Sequence, residues 1–183
     1  MKEFDHDGLL LAEFQGKLFE KSADLHCSTA VFIRRFLHSD YLKKLDTNNL
    51  SVLSLDVNEG IDSIQKQFGD SNYGQTKYSK SALFWMGYIY RYLAYTRETT
   101  TRFVMSLFPY RQLNDVYYSF HTQDPEWCVR SLLEMSNLNE DVFDKNKDKK
   151  MFPASMTKMM SLILIYEALG AQVPKFGHLG MIL

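Results

Sequence analysis

Apolar residues recur at helical spacing along most of this chain. Leu10, Phe14 and Leu18 show this spacing in the first such segment, which predicts a helix with one buried face. Between Gly87 and Gly170 there is no glycine, a pattern typical of long helices rather than of a sheet with tight hairpins. The sequence therefore predicts an all-α fold, a bundle of about six helices.

The predicted helices are periodic apolar stretches bounded by capping or breaking residues, and they cover residues 8–23, 28–42, 58–68, 77–97, 99–108 and 110–120. A further helix is predicted to begin after Asp124. Asp124 can cap it, because Pro125 suits the first helical position and Glu126 suits the first turn.

The segment from residue 77 to residue 97 has almost no polar face. Such a helix is normally the buried centre of a bundle, so we expect Trp85, Tyr88 and Tyr92 to lie in the core. Arg91 and Arg97 interrupt the segment, and their long side chains are expected to reach the surface. A platform on which nucleic-acid bases stack is the alternative function of these aromatic residues.

Composition and charge exclude several classes of protein. The chain has 183 residues, 45% of them hydrophobic, and a formal net charge of -1, which indicates a globular protein and gives no reason to expect nucleic-acid binding. No apolar run is long enough to span a membrane, and the acidic N-terminus does not resemble a secretory signal, so we expect a cytoplasmic protein. Cys27 and Cys128 are expected to be buried, reduced thiols.

The charge balance changes near residue 144. Residues 1–143 contain fifteen Lys and Arg against nineteen Asp and Glu, whereas the rest of the chain contains six against three. The polar run 144–150 separates the two parts and is predicted to be a solvated linker. The sequence thus predicts a helical bundle domain over 1–143, a linker over 144–150, and a second segment over 151–183 that contains a C-terminal helix.

Few residues suggest metal or acid–base chemistry. His121 could act as a base oriented by Asp124, but Asp124 is better explained as a helix cap, and no nucleophile accompanies the pair. The dipeptide His26-Cys27 lacks a second pair of metal ligands. The polar triplet at 144, 146 and 148 is similar to half of an EF-hand, but the glycine and the final glutamate of that loop are missing. We therefore predict no metal and no cofactor.

Residues 95–101, between two predicted helices, are a candidate turn of a helix-turn-helix DNA-binding motif. Phe103 and Val104 follow this turn and are expected to be packed, and few basic residues remain to contact phosphates. A DNA-binding regulator is therefore one alternative function.

The strongest chemical signature lies at residues 152–160. Ser155 and Lys158 are one helical turn apart, so the hydroxyl and the amine lie on one face, where the amine can accept the hydroxyl's proton. The run Pro-Ala-Ser-Met-Thr-Lys-Met-Met resembles the nucleophile segment of penicillin-binding D-alanyl-D-alanine carboxypeptidases over about residues 151–169. This resemblance implies that Ser155 is the acylated nucleophile and Lys158 its general base.

The other motifs of that family are missing after Ser155. There is no Ser-x-Asn, and the run Lys175-Phe176-Gly177 has an aromatic residue where the family has a small hydroxyl residue. Acyl transfer also needs an oxyanion hole and a second acid–base group. We interpret residues 151–183 as a carboxypeptidase fragment, and a serine-type D-alanyl-D-alanine carboxypeptidase is the other alternative function.

The segments Leu10–Ser22, Ala82–Tyr92 and Phe120–Glu126 carry a second resemblance. They are similar to segments of small helical proteins from bacterial toxin-antitoxin-like cassettes, which are encoded beside partners that resemble ADP-ribosyltransferases. This resemblance carries no catalytic residue and implies a partner-binding role. The whole sequence thus predicts a non-enzymatic, antitoxin-like or regulatory protein whose protein partner would be a cognate toxin.

Overall fold

The computed structural model describes residues 1–50 and 54–144, which lie in one compact unit, and within them the regular structure is helical. In chain order the helices are α1 His6–Ser22, α2 Thr29–His38, α3 Asp40–Leu45, α4 Val57–Phe68, α5 Lys80–Thr96, α6 Thr101–Leu107, α7 Tyr110–Phe120, α8 Pro125–Met135 and α9 Asp141–Asp144. The predicted all-α fold is confirmed. The described residues form nine helical segments where the sequence predicts about six, because several are short.

Side-chain caps determine where several helices begin. Asp124 Oδ1 accepts hydrogen bonds from the backbone N–H groups of Glu126, at 2.9 Å, and Trp127, at 3.2 Å, so α8 begins as the sequence predicts. The Ser79 hydroxyl accepts from the N–H of Ala82 at 3.2 Å and holds the start of α5 at Lys80, three residues later than predicted.

The predicted helix over residues 28–42 is interrupted at Ser39. The backbone of Ser39 is extended, with φ -76° and ψ 148°, so α2 ends and α3 begins there. Its hydroxyl donates to the Phe36 carbonyl at 2.7 Å and accepts from the Leu42 N–H at 3.0 Å. Both helices bury one face, so the apolar periodicity continues across Ser39. The sequence pattern therefore did not reveal the break.

Helix α5 is the centre of the bundle, and its most extensive contact is with α1, which runs antiparallel to it. The two backbones approach closely at Gly87, where an added Cβ atom would lie 2.5 Å from the carbonyl oxygen of Gln15. A Cβ atom on Gly16 of α1 would lie 2.9 Å from the ring of Phe84. Any side chain at Gly87 would therefore force the two helices apart.

Aromatic rings fill much of the core between these helices. Trp85 and Tyr92 of α5 are buried as predicted, whereas Tyr88 is half-buried. On the other side of α1, the ring of Phe19 meets the rings of Phe32 and Phe36 edge-on, with centroids 5.4 and 5.1 Å away. The aromatic residues of α5 are thus mainly core residues rather than an exposed platform. None of the helices in the described ranges is long and apolar enough to cross a membrane.

The C-terminal end of the described structure differs from the predicted boundary. Asp144, the first residue of the predicted linker, is the last residue of α9, and the neighbouring Phe143 is buried against the ring of Phe103, 6.2 Å away. The rest of the predicted linker and the predicted C-terminal helix lie outside the described residues.

Replacing Trp85 by alanine should lower the free energy of unfolding by roughly 3–5 kcal/mol, because the buried indole leaves a cavity beside the ring of Tyr117. Chemical denaturation measures this change. Trp127→Ala is the matched control, because its indole is 40% exposed, and it should cost clearly less. A loss below about 1 kcal/mol for Trp85→Ala would contradict the central position of α5.

A chain ending at Asp144 should remain folded, with a melting temperature lowered by at most a few degrees, because the described core is formed within residues 1–144. Thermal unfolding followed by circular dichroism measures this shift. Cooperative loss of structure in the shortened chain would instead mean that residues 145–183 are integral to one domain.

Candidate functional site

The structure does not describe the predicted acyl-transfer pair. Ser155 and Lys158 lie outside the described residues, as do Asn146 and Asp148 of the partial EF-hand pattern. Among the described residues, no group of three or more His, Cys, Asp or Glu side chains is placed to hold a metal ion.

The residues that the sequence analysis assigned to structural roles have those roles. Asp124 caps α8, and His121 is not paired with it: its Nδ1 atom lies 2.9 Å from the Tyr117 carbonyl oxygen, and its ring stacks on the Tyr117 ring at 4.6 Å. Cys27 and Cys128 are buried free thiols, as expected. Burial raises the pKa of both, that of Cys128 to about 11, so the thiols are protonated at neutral pH.

The connection between α5 and α6, the candidate helix-turn-helix turn, is held by contacts within the protein. Phe103 and Val104 are buried, as expected. The guanidinium group of Arg102 donates to the Leu37 carbonyl, and that of Arg97 binds two carboxylates. Both basic groups nearest this turn are therefore already paired with oxygen atoms of the protein.

Arg97 lies directly after α5 and joins three parts of the fold. Its Nη2 atom lies 2.7 Å from a carboxylate oxygen of Glu126 in α8 and 2.7 Å from one of Glu140, which precedes α9. Nε donates to Glu140 at 3.0 Å, and Nη1 donates to Glu126 at 3.1 Å and to the Thr96 hydroxyl at 3.0 Å. Both carboxylates are bound in two-point contacts, the strongest geometry available to arginine.

The Arg97 cluster consists of Tyr92, Arg97, Glu126 and Glu140. Its hydrogen bonds shift the pKa values of three of these groups. Those from Arg97 to Glu126, assisted by one from the Tyr92 hydroxyl at 2.9 Å, lower the pKa of Glu126. Burial alone would lower the pKa of Arg97, but Glu126 and Glu140 outweigh it and raise that pKa. Burial and the bond to Glu126 raise the pKa of the Tyr92 phenol. Tyr92, Arg97 and Glu126 therefore keep their usual charges at neutral pH.

Arg91 is fully buried in the middle of α5, and Arg97 at its end is buried as well. The prediction that both arginines reach the surface is therefore wrong, because oxygen atoms of the protein surround their guanidinium groups. The Nε atom of Arg91 donates to Gln15 Oε1 at 2.9 Å, and Nη1 donates to the Leu45 carbonyl at 3.3 Å. Nη2 forms an ion pair with Asp46 Oδ1 at 3.1 Å without the alignment of a hydrogen bond. Burial lowers the pKa of Arg91, and the charge of Asp46 opposes this change.

A cleft of about 360 Å³ opens beside the Arg97 cluster, bounded by Met1, Glu98 and Phe143 as well as by the two carboxylates that Arg97 binds. The N–H groups of Arg97 point to Glu126, Glu140 and Thr96 rather than into the cleft. We assign this cluster a structural role, which is to fix α8 and α9 against the end of α5.

Helices α7 and α8 form an antiparallel hairpin. At one end Gln112 Nε2 donates to the Ser136 hydroxyl at 3.1 Å, and at the other end the rings of Phe120 and Trp127 lie 5.1 Å apart, edge to face. On the inner side of α7, the buried ring of Tyr117 contacts Trp85 of α5, with 5.9 Å between the two rings. Helix α7 is thus tied to the central helix through Tyr117.

Helices α7 and α8 also expose large apolar side chains. Tyr118 is 84% exposed, Met135 54% and Trp127 40%. We call the exposed surface of these two helices the outer face, and its residues include Asp115, Tyr118, Trp127, Arg130, Glu134 and Met135. No pattern in the sequence marks these residues as a site. Tyrosine, tryptophan and methionine are enriched at protein–protein interfaces, so we take the outer face as the candidate site.

No family model, no curated protein and no solved structure matches the chain. The outer face of the α7–α8 hairpin is therefore identified by its chemistry and exposure alone.

Stability should fall as the pH falls through the folded-state pKa of Glu126, which lies below its usual value of 4.5. The unfolded chain binds a proton at Glu126 at higher pH than the folded chain does, so this contribution is present above about pH 4.5 and is lost in acid. Melting temperatures of the wild type and of Glu126→Gln across this range measure the contribution.

The Glu126→Gln variant should be less stable than the wild type at neutral pH and should lose less stability in acid. Glu134→Gln is the matched control, because Glu134 is an exposed residue of the same helix, and it should keep the wild-type pH dependence. An unchanged acid slope in Glu126→Gln would show that the Arg97 cluster does not stabilise the fold through Glu126.

Proposed function

We propose that this chain is a non-enzymatic, cytoplasmic protein that binds a protein partner, as the antitoxin-like or regulatory component of a bacterial toxin-antitoxin cassette. The observation that carries the proposal is the outer face of the α7–α8 hairpin, where Tyr118, Trp127 and Met135 are exposed. Large exposed aromatic residues are the side chains that most often dominate binding energies at protein interfaces.

The support beneath the outer face favours a preformed binding surface. Trp127 packs on Phe120. The ring of Tyr118, although 84% exposed, lies 5.4 Å from the ring of Tyr117, which meets Trp85 of the central helix. An aromatic side chain held on a rigid helix loses little conformational entropy when a partner covers it. The partner can therefore dock without a large rearrangement of the bundle.

The class of partner is suggested by the sequence. Residues 1–143 resemble small helical proteins of toxin-antitoxin-like cassettes, and the outer face lies within that region. The cognate toxin encoded beside this chain is therefore the partner we propose, and neutralisation of that toxin by binding is the corresponding activity.

Co-expression with the product of the adjacent toxin gene tests the proposal. The two proteins should co-purify as a stable complex, and the wild-type chain should restore growth of cells that produce the toxin. The double variant Tyr118→Ala/Trp127→Ala should weaken the complex by at least roughly tenfold, since each residue is a large, exposed aromatic group at the proposed interface. Isothermal titration calorimetry measures the affinity.

Phe68→Ala is the matched control, because Phe68 is 36% exposed at the end of α4, outside the α7–α8 hairpin, and it should bind as the wild type does. Equal binding by the double variant and the wild type would contradict the role of the outer face. Covalent labelling of Ser155 by a fluorescent penicillin would instead support the carboxypeptidase resemblance.

A further inference from the structure

Two consecutive arginines near the end of α2 differ in their surroundings. Arg35 donates to the carbonyl oxygens of Phe68 and Gly69, at 3.4 and 2.6 Å, and so caps the end of α4. Arg34, which is half-buried, forms no hydrogen bond or ion pair with any other residue that the structure describes. The positive charge of Arg34 therefore has no counter-ion in this part of the chain.

Two further basic side chains lie beside Arg34. His38 is one helical turn after it in α2, so the two side chains share one face of the helix. The guanidinium group of Arg102, in α6, donates to the carbonyl oxygen of Leu37, the residue before His38. Arg34, His38 and Arg102 are all half-buried, and we call these three side chains the basic cluster.

The charges of the two arginines act on His38. Burial is the main cause that lowers the pKa of His38, and the positive charges of Arg102 and Arg34 lower that pKa further. The imidazole has no hydrogen-bond partner within the described residues. The hydrogen bond of Arg102 goes to a neutral carbonyl oxygen, which does not cancel the charge of the guanidinium group. The basic cluster thus places two positive charges around a ring with unused hydrogen-bonding groups.

The carboxylates closest to the basic cluster in sequence are paired or placed elsewhere. Asp40 forms an ion pair at 2.6 Å with a lysine of its own helix, α3. Asp46 pairs with the buried Arg91 at 3.1 Å. Glu98 borders the cleft beside the Arg97 cluster. Since both charges that shift the pKa of His38 are positive, none of these carboxylates neutralises the basic cluster.

We propose that the basic cluster is a binding site for a phosphate group, held by the guanidinium groups of Arg34 and Arg102 and by a ring N–H of His38. Guanidinium groups bind phosphate oxygens in two-point contacts, and imidazole has a ring N–H donor in either protonation state. A phosphate group carries a charge of about −1.5 to −2 at neutral pH and three strong acceptor oxygens, which matches these donors better than a carboxylate does. The basic cluster lies on helices other than α7 and α8 and is independent of the proposed function.

Inorganic phosphate provides the first test on the full-length chain. It should raise the melting temperature relative to chloride at equal ionic strength, and the effect should saturate at millimolar concentrations, because a ligand that binds only the folded state stabilises it. Exclusion of phosphate from the protein surface also stabilises proteins, but that effect does not saturate and involves no particular residue. Differential scanning fluorimetry measures the shift, and a shift that rises without saturation would overturn the proposal.

Replacement of Arg34, with a matched control, tests the site directly. Arg34→Gln removes one positive charge and no hydrogen bond of the described structure, so the variant should fold and should bind phosphate at least roughly fivefold more weakly. Arg130→Gln removes the same charge at an exposed position of α8, and its affinity should stay within about twofold of the wild type. Equal losses in the two variants would mean that net charge alone attracts phosphate, which would overturn the proposal.

The NMR signals of the histidine rings show where phosphate binds. The chain contains five histidines, and the signal that His38→Gln removes belongs to His38. Phosphate should shift this signal with the same concentration dependence as the melting temperature. An unchanged His38 signal at saturating phosphate would overturn the proposal.

A nucleoside monophosphate, its nucleoside and duplex DNA distinguish the sources of the phosphate group. Binding of the monophosphate but not of the nucleoside, weakened in Arg34→Gln, would support the proposal and assign a phosphorylated small molecule. A response to inorganic phosphate alone would support it and assign the free ion. Binding of duplex DNA that depends on Arg34, without a response to either small phosphate, would overturn it in favour of the helix-turn-helix alternative.

Discussion

The buried positive charge of Arg91 is the constraint on which the rest of this bundle depends. An unpaired charge in the interior would be strongly destabilising, so the surrounding chain must supply oxygen atoms around the guanidinium group. Gln15 of α1, the Leu45 carbonyl at the end of α3, and Asp46 supply them. Asp46 also accepts hydrogen bonds from the backbone and hydroxyl of Thr101, at 3.1 and 2.8 Å. One buried residue thereby fixes α1, α3 and α6 against α5.

The close approach of α1 and α5 makes this arrangement attainable. Because Gly87 has no side chain, the backbone of Gln15 lies against it, and Gln15 Nε2 donates to the Gly87 carbonyl at 3.0 Å. The other end of the same amide then accepts from Arg91. A wider helix separation would leave the guanidinium group without this partner. The close helix contact at Gly87 and the burial of the Arg91 charge thus depend on each other.

The proposed binding surface is a consequence of the same central helix. Trp85 supports α7 through Tyr117, and Arg97 holds the start of α8 through Glu126. Tyr118 and Trp127 take no part in these two contacts, and both are exposed. Ion pairs and ring contacts fix these helices to the core. Their aromatic side chains can therefore stay exposed to solvent without a rearrangement that buries them.

Helical periodicity and capping residues are local properties, and the sequence by itself therefore determined the all-α class, the aromatic central helix and the start of α8 at Asp124. The break at Ser39 and the burial of Arg91 and Arg97 were decided by tertiary structure. An arginine reaches the surface or stays inside according to which carboxylates and carbonyls the fold brings to it, and Asp46, Glu126 and Glu140 are 29 to 45 residues distant in sequence. The outer face is likewise a tertiary property. Whether an aromatic residue such as Tyr118 is core or binding surface depends on which side of its helix the rest of the bundle covers.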